Sequence, residues 1–190
     1  DDSVWMFVQS KWNEAYCYNL LTKKWKSYPF NTKRNGNELS PAFSCATKKG
    51  DLFVVVNTKG VARFSKEKKQ FEFVNPQNKI DFSQYYFTGL AEGSDGNILM
   101  STQNELLKLD LAMNEMKPLL EADFIGALTV SNNGRVCYAS LDNLVFYNEK
   151  NNEKINFQFE VEDVFHQPGN KLINLSNGKV ISLQKKELVL

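Results

Sequence analysis

The chain contains one histidine, His166, so a serine triad or a cysteine–histidine pair would have to be built on it. It follows Phe165 at the end of an apolar run, a setting that favours a packing or turn histidine over a general base. No Gly-x-Ser-x-Gly elbow accompanies it. Glu160, Glu162 and Asp163 are near enough in sequence for acid–base work, because neighbouring carboxylates push their pKa values apart. Among 22 acidic residues such neighbours arise by chance, and glycosidase or lyase chemistry is a minor alternative. Asp95-Gly96-Asn97 lacks the further oxygen ligands of a calcium loop, and phosphate loops and dinucleotide fingerprints are missing. Cys17, Cys45 and Cys137 have no Cys-x-x-Cys spacing, and each lies within an apolar run. That is the pattern of buried free thiols rather than of zinc ligands, although one disulfide with a thiol left over stays open, and the redox compartment with it. No catalytic residue, cofactor or metal is expected.

Binding chemistry is better represented. Six loops are expected to gather on one face of the fold: Gln9 to Glu14, Asn31 to Ser40, Asn57 to Gly60, Asn75 to Tyr86, Ser101 to Glu105 and Ser140 to Asn143. They carry Lys11, Trp12, Lys33, Arg34 and Tyr85, the candidate ligand-binding residues, with Lys59 and Tyr86 beside them. Aromatic rings stack on sugar faces while amides and charged groups bond the hydroxyls, and Lys and Arg suit sulfated or carboxylated sugars. The plainer alternatives are wedge residues between sheets for Tyr85 and Tyr86, and for Trp12 a surface residue or a core residue laid bare in a fragment. For Lys23-Lys24-Trp25-Lys26 a solvated hairpin tip is favoured.

The elements that must position these residues repeat. Gly50, Gly96, Gly134 and Gly169 each precede an apolar residue by three positions: Phe53, Leu99, Cys137 and Leu172. Trp5 takes the same place near the start, so the anchors are separated by 48, 46, 38 and 35 residues. Each glycine sits in a turn that needs a positive φ. After it come runs apolar on both faces: Leu52 to Val56, Ile98 to Met100, Val136 to Tyr138, Leu172-Ile173, and with them Val4 to Val8. A strand apolar on both faces must be covered on both. Third strands (Ala15 to Tyr18, Val61 to Phe64, Leu106 to Leu109, Leu144 to Tyr147, Val180 to Leu183) and more alternating outer strands follow, and no helix is required. Four-stranded units with periods near forty predict an all-β fold, a partial β-propeller of about five four-stranded blades. The blades are expected at 1–38 (first strand missing), 39–86, 87–121, 122–159 and 160–190, as one propeller segment cut from a larger, seven-bladed ring. The unpaired edge of the first blade would invite another chain, a homodimer included.

Net charge is +1, which supplies no global field for nucleic acid, and no run of 18 apolar residues offers a membrane span. The charge is uneven: residues 1–75 hold 13 Lys+Arg against 7 Asp+Glu, and the remainder 10 against 15. Solvated lysines on strand edges account for the basic part more simply than an anionic ligand does.

Asp95 to Thr102 with Leu106 to Asp110 resembles the two-component regulator propeller repeat, and Gly50 to Phe64 and Gly134 to Asn148 are weaker copies. That family has tryptophan at the anchor and glycine before the third strand; here Trp5 alone keeps the tryptophan, and Gly60 and Gly178 the loop glycine. The resemblance implies the periplasmic sensor region of a bacterial hybrid histidine kinase, responding to an oligosaccharide or another periplasmic ligand. It also implies neighbouring propeller and immunoglobulin-like domains in the parent chain, and no nucleic-acid or membrane contact by this segment. A second likeness, of Tyr18 to Trp25 to the end of a kelch blade, lacks the kelch glycine doublet and makes a protein-interaction propeller the alternative. A secreted glycan-active enzyme comes third.

Overall fold

A computed structural model describes residues 2–8, 13–31, 39–131, 133–140 and 143–158, and the strand backbones at 171–174, 180–183 and 188–189. Two compact units emerge: Asp1–Asn75 with Asp81–Tyr85, and Pro76–Ile80 with Tyr86–Leu190.

The first unit holds two antiparallel meanders. One is β1 (Ser3–Phe7), β2 (Glu14–Asn19) and β3 (Lys24–Pro29); the other is β4 (Pro41–Ala46), β5 (Leu52–Val56), β6 (Gly60–Ser65) and β7 (Gln70–Phe73), each paired in chain order. Their shared core sets Trp5, Phe7 and Tyr28 against Val54, Val56, Ala62 and Phe71. The Trp5 ring lies 5.0 Å from Phe64 and 5.6 Å, edge-on, from Phe71. The aromatic anchor of the repeat is therefore a packing residue whose large buried area joins one sheet to the next.

The second unit holds β8 (Phe87–Glu92), β9 (Ile98–Thr102), β10 (Glu105–Asp110) and β11 (Glu115–Glu121), then β12 (Leu128–Val130), β13 (Val136–Ser140), β14 (Asn143–Asn148) and β15 (Glu153–Gln158). A third sheet is formed by β16 (Lys171–Asn174), β17 (Val180–Leu183) and β18 (Leu188–Val189). Leu99 and Leu106 pack on Ile125, Leu128, Val136, Tyr138, Val145 and Tyr147. Lys108 adds a polar clasp, its Nζ 2.5 Å from Asp95 Oδ2 and 2.7 Å from Glu149 Oε2.

The repeat holds at the level of single hydrogen bonds. Gly50, Gly96 and Gly134 have φ of 78°, 82° and 83°, the left-handed region that glycine enters without a Cβ clash. Their N–H groups donate to Thr47, Gly93 and Ser131, three residues earlier, at 2.8, 3.1 and 2.9 Å. Those same three residues donate back to Asp51, Asn97 and Arg135, each at 2.8 Å. The turns between third and fourth strands repeat too. Asn19, Ser65, Asp110 and Asn148 accept backbone N–H bonds on their side chains, as at 2.7 Å from Thr22 and 2.9 Å from Ala112. Four residues on, Lys23, Lys69, Asn114 and Asn152 take positive φ of 50–58°.

Three expectations change. β5 and β9 are covered on both faces and β13 nearly so, but β1 alternates: Val4 and Met6 are 50% and 44% exposed while Trp5 and Phe7 face the core. A 3-10 turn forms at Phe82–Gln84, because Asp81 accepts the Ser83 N–H at 2.9 Å and starts it. The connection 75–86, expected on the loop end, is partly committed elsewhere: Gln77 N–H donates to Asn114 at 2.8 Å, and Asn78 bonds the Met116 backbone in both directions.

Candidate ligand-binding loop end

Of the five sequence candidates, the described residues include Tyr85; Lys11, Trp12, Lys33 and Arg34 lie outside them. So do His166 and the Glu160/Glu162/Asp163 cluster. Tyr85 is half-buried, and its backbone makes two hydrogen bonds. Its N–H donates to Phe82 O, and its carbonyl accepts the Thr58 N–H, both at 3.0 Å. The Phe82 and Tyr85 rings meet edge-on at 6.1 Å. This docks the 3-10 turn onto the loop joining β5 to β6.

That loop is tightly wound. Asn57 N–H donates to Ser40 O and Lys59 N–H to Val56 O, each at 3.0 Å. Gly60 has φ of 98°, and a Cβ there would come within 2.7 Å of Phe82 Cδ2, so the glycine before the third strand is needed for space as well as for φ. Thr58 has φ of 62°, an outlying conformation for a β-branched side chain. Strain of this kind persists where surrounding bonds impose it, and it clusters at ligand sites. The backbone N–H and the hydroxyl of Ser83 hold the Asp81 carboxyl below its ordinary value, so it is an anion at neutral pH. The two docked loops thus bring an acceptor (Asp81), a donor (Lys59) and an aromatic ring (Tyr85) to one loop end, the set a polyhydroxyl ligand uses.

The second unit has its own loop end. Thr102 Oγ1 accepts the Glu105 N–H at 3.1 Å, and Asn104 O accepts the Ala122 N–H at 3.0 Å. A depression of about 570 Å³ is lined there by Asn104, Glu105, Glu121, Ala122 and Asp123. Carboxylates of this kind are hydrogen-bond acceptors for a ligand's hydroxyls, and among the described residues no group of three or more His, Cys, Asp or Glu is arranged to hold a metal. The loops Ser101–Glu105, Asn57–Gly60 and Asn75–Tyr86 were expected at these ends; Glu121 and Asp123 were not, and Asp81, Thr58 and Phe82 fall within the expected loops without having been singled out. Gly60 was the available signal for the last two. Tyr86 is 61% exposed, which does not suit a wedge between sheets.

A four-stranded antiparallel sheet repeated along the chain, with almost no helix, defines the class: this is an all-β fold, a partial β-propeller. Solved structures agree. Virginiamycin B lyase from Staphylococcus aureus superposes with a TM-score of 0.74 at 10% identity, over 96% of this chain and 59% of the lyase. A Bacteroides thetaiotaomicron extracellular domain assigned to a hybrid two-component system gives 0.73 at 16% identity, over 98% of this chain and 25% of that one. A second such domain from the same organism gives 0.64 at 13%, over 97% and 24%. The chain thus spans about three fifths of the lyase and about a quarter of each extracellular domain. At these identities the likeness is one of fold. No family model matches the chain, and no curated protein does.

Proposed function

We propose that this chain is the ligand-sensing or scaffolding propeller portion of a periplasmic two-component sensor, a hybrid histidine kinase, and that it responds to an oligosaccharide without turning it over. The observation that carries the proposal is the first loop end, where Thr58 is held at positive φ against the Tyr85 carbonyl beside Asp81 and Lys59. Backbone strain imposed by a docked segment, on a surface that mixes acceptor, cation and aromatic ring, suits recognition of a polyhydroxyl ligand. Fold likeness to extracellular domains assigned to hybrid two-component systems supports the sensor role.

In the proposed mechanism, Trp12 and Tyr85 stack on sugar rings while Lys11, Lys33 and Arg34 bond hydroxyl or acidic substituents. Neighbouring propeller and immunoglobulin-like domains of a parent chain transmit the event. A ligand can shift their arrangement only by binding one arrangement more tightly than another. Calorimetric titration of a glycan panel tests this: Trp12→Ala, Arg34→Ala and Tyr85→Ala each weaken binding of the active glycan about tenfold or more. Release of glycan fragments would replace the proposal with the enzyme reading. Tight capture of one protein, with no glycan bound, would replace it with the kelch-like interaction module.

A further inference from the structure

We propose that the hairpin end of the β4–β7 sheet carries a separate site for an oligosaccharide bearing carboxylate or sulfate groups. The turn from β4 to β5 presents Lys48 and Lys49, and the turn from β6 to β7 presents Lys66, Lys68 and Lys69, all exposed. The two turns are in contact: Lys66 Nζ stands 3.8 Å from the position a Cβ on Gly50 would take. Glu72 neutralises Lys68 at 2.7 Å. The five lysines and Arg63 stand against Asp51, Glu67 and Glu72, six cations to three carboxylates, and that net positive charge attracts an anion. Much of the basic excess of residues 1–75 is gathered here.

Beside the lysines a groove of about 420 Å³ runs along β6 and β7, lined among others by Arg63, Ser65, Lys66, Glu67, Glu72 and Phe73. Asp51 fixes the Arg63 guanidinium at 2.9 Å, and the guanidinium carbon lies 5.7 Å from the Phe53 ring centroid. Donors (Arg63, Ser65, Lys66) and acceptors (Glu67, Glu72) line the same groove, as sugar hydroxyls require. The lysines at the rim then suit acidic substituents. A nucleic-acid chain fits poorly, because no row of exposed rings is there for bases to stack on. The groove opens at the opposite end of the sheet from the loop carrying Thr58, so it stands whether or not that loop end binds a ligand.

The test is titration of the chain with a heparin-derived hexasaccharide and with oligogalacturonate, against a neutral cello-oligosaccharide and a short DNA duplex, at low and physiological salt. At least one acidic oligosaccharide binds in preference to both controls. The triple variant K48E/K49E/K69E loses about tenfold or more of that affinity and flattens its salt dependence, while Tyr85→Ala leaves it unchanged. Neutral K48Q/K49Q/K69Q gives a smaller loss in the same direction and serves if charge reversal disturbs folding. Equal binding of DNA would reduce the site to general polyanion attraction and overturn the proposal. So would equal binding of the neutral sugar, absence of binding, unchanged affinity in both lysine variants, or a loss caused by Tyr85→Ala.

Discussion

Replacing Lys108 with methionine will destabilise the second unit, and the cost can be worked from the clasp itself. Lys108 and Glu149 side chains are 19% and 18% exposed and Asp95 40%, so the ammonium joins two carboxylates in a partly dehydrated place. Methionine keeps most of the aliphatic stem, so the main loss is the charge. An exposed ion pair contributes under about 1 kcal/mol, whereas stripping one partner from a fully buried pair costs about 3–5 kcal/mol. Exposures near one fifth place this clasp between the two, at about 2 kcal/mol, or roughly 4–8 °C in Tm for a chain of this length. The pH dependence is two-sided. Burial works to raise Asp95, yet the Lys108 bond and the Asn97 N–H bring its carboxyl below the ordinary value, so its stabilisation is lost as pH falls through that depressed pKa. Burial works to lower Lys108, yet its bonds to Asp95 and Glu149 raise it, so its stabilisation is lost as pH rises through the raised pKa. The Tm gap between wild type and Lys108→Met should therefore be flat around neutrality and close at both extremes. Glu149→Gln, which leaves Asp95 on Lys108, should cost under about 1 kcal/mol. Thermal melts across pH read all of this. A Lys108→Met protein melting with wild type at neutral pH, or a gap that persists in strong acid, refutes the reasoning.

Gly60→Ala should destabilise the first unit by about 1–3 kcal/mol, through positive φ and a Cβ only 2.7 Å from Phe82, and should free the 3-10 turn; hydrogen exchange at Thr58 and Tyr85 would rise before the sheet melts. Burial pushes the Cys137 thiol up to about 12, and Cys17 is also buried, so a thiol reagent on the native protein should label Cys45 first and the other two only on unfolding, as mass spectrometry would show. Val54→Ala, at a fully buried site, should cost about 1–3 kcal/mol, while Val4→Ala on the half-exposed face of β1 should cost under about 0.5 kcal/mol by denaturant titration.

The fold was legible where sterics leave few choices. Positive φ at Gly50, Gly96 and Gly134 can be read from residue type and spacing, and so can the two-faced burial of β5 and β9. β1 was misread because Val4 to Val8 has the same apolar composition, and composition does not say whether a neighbouring sheet is present. Positive φ at Lys23 and Lys69 leaves no mark in residue type; it follows from the side chains of Asn19 and Ser65 capping the turn, a pattern visible only once the bonds are known. The clasp from Lys108 to Glu149 joins residues 41 apart and has no local signature. At the loop end Tyr85 was recognisable as an aromatic in a connection, but its backbone bond to Thr58 was not, since main-chain docking is independent of side-chain chemistry.

The most direct test of the sensing proposal is an amide-resolved NMR titration of this chain with the glycan found to bind, followed by recovery of that glycan. The account predicts shifts concentrated at Asn57–Gly60 and Asp81–Tyr85 and a glycan returned intact. Shifts absent from both segments, or a glycan returned cleaved, would contradict it.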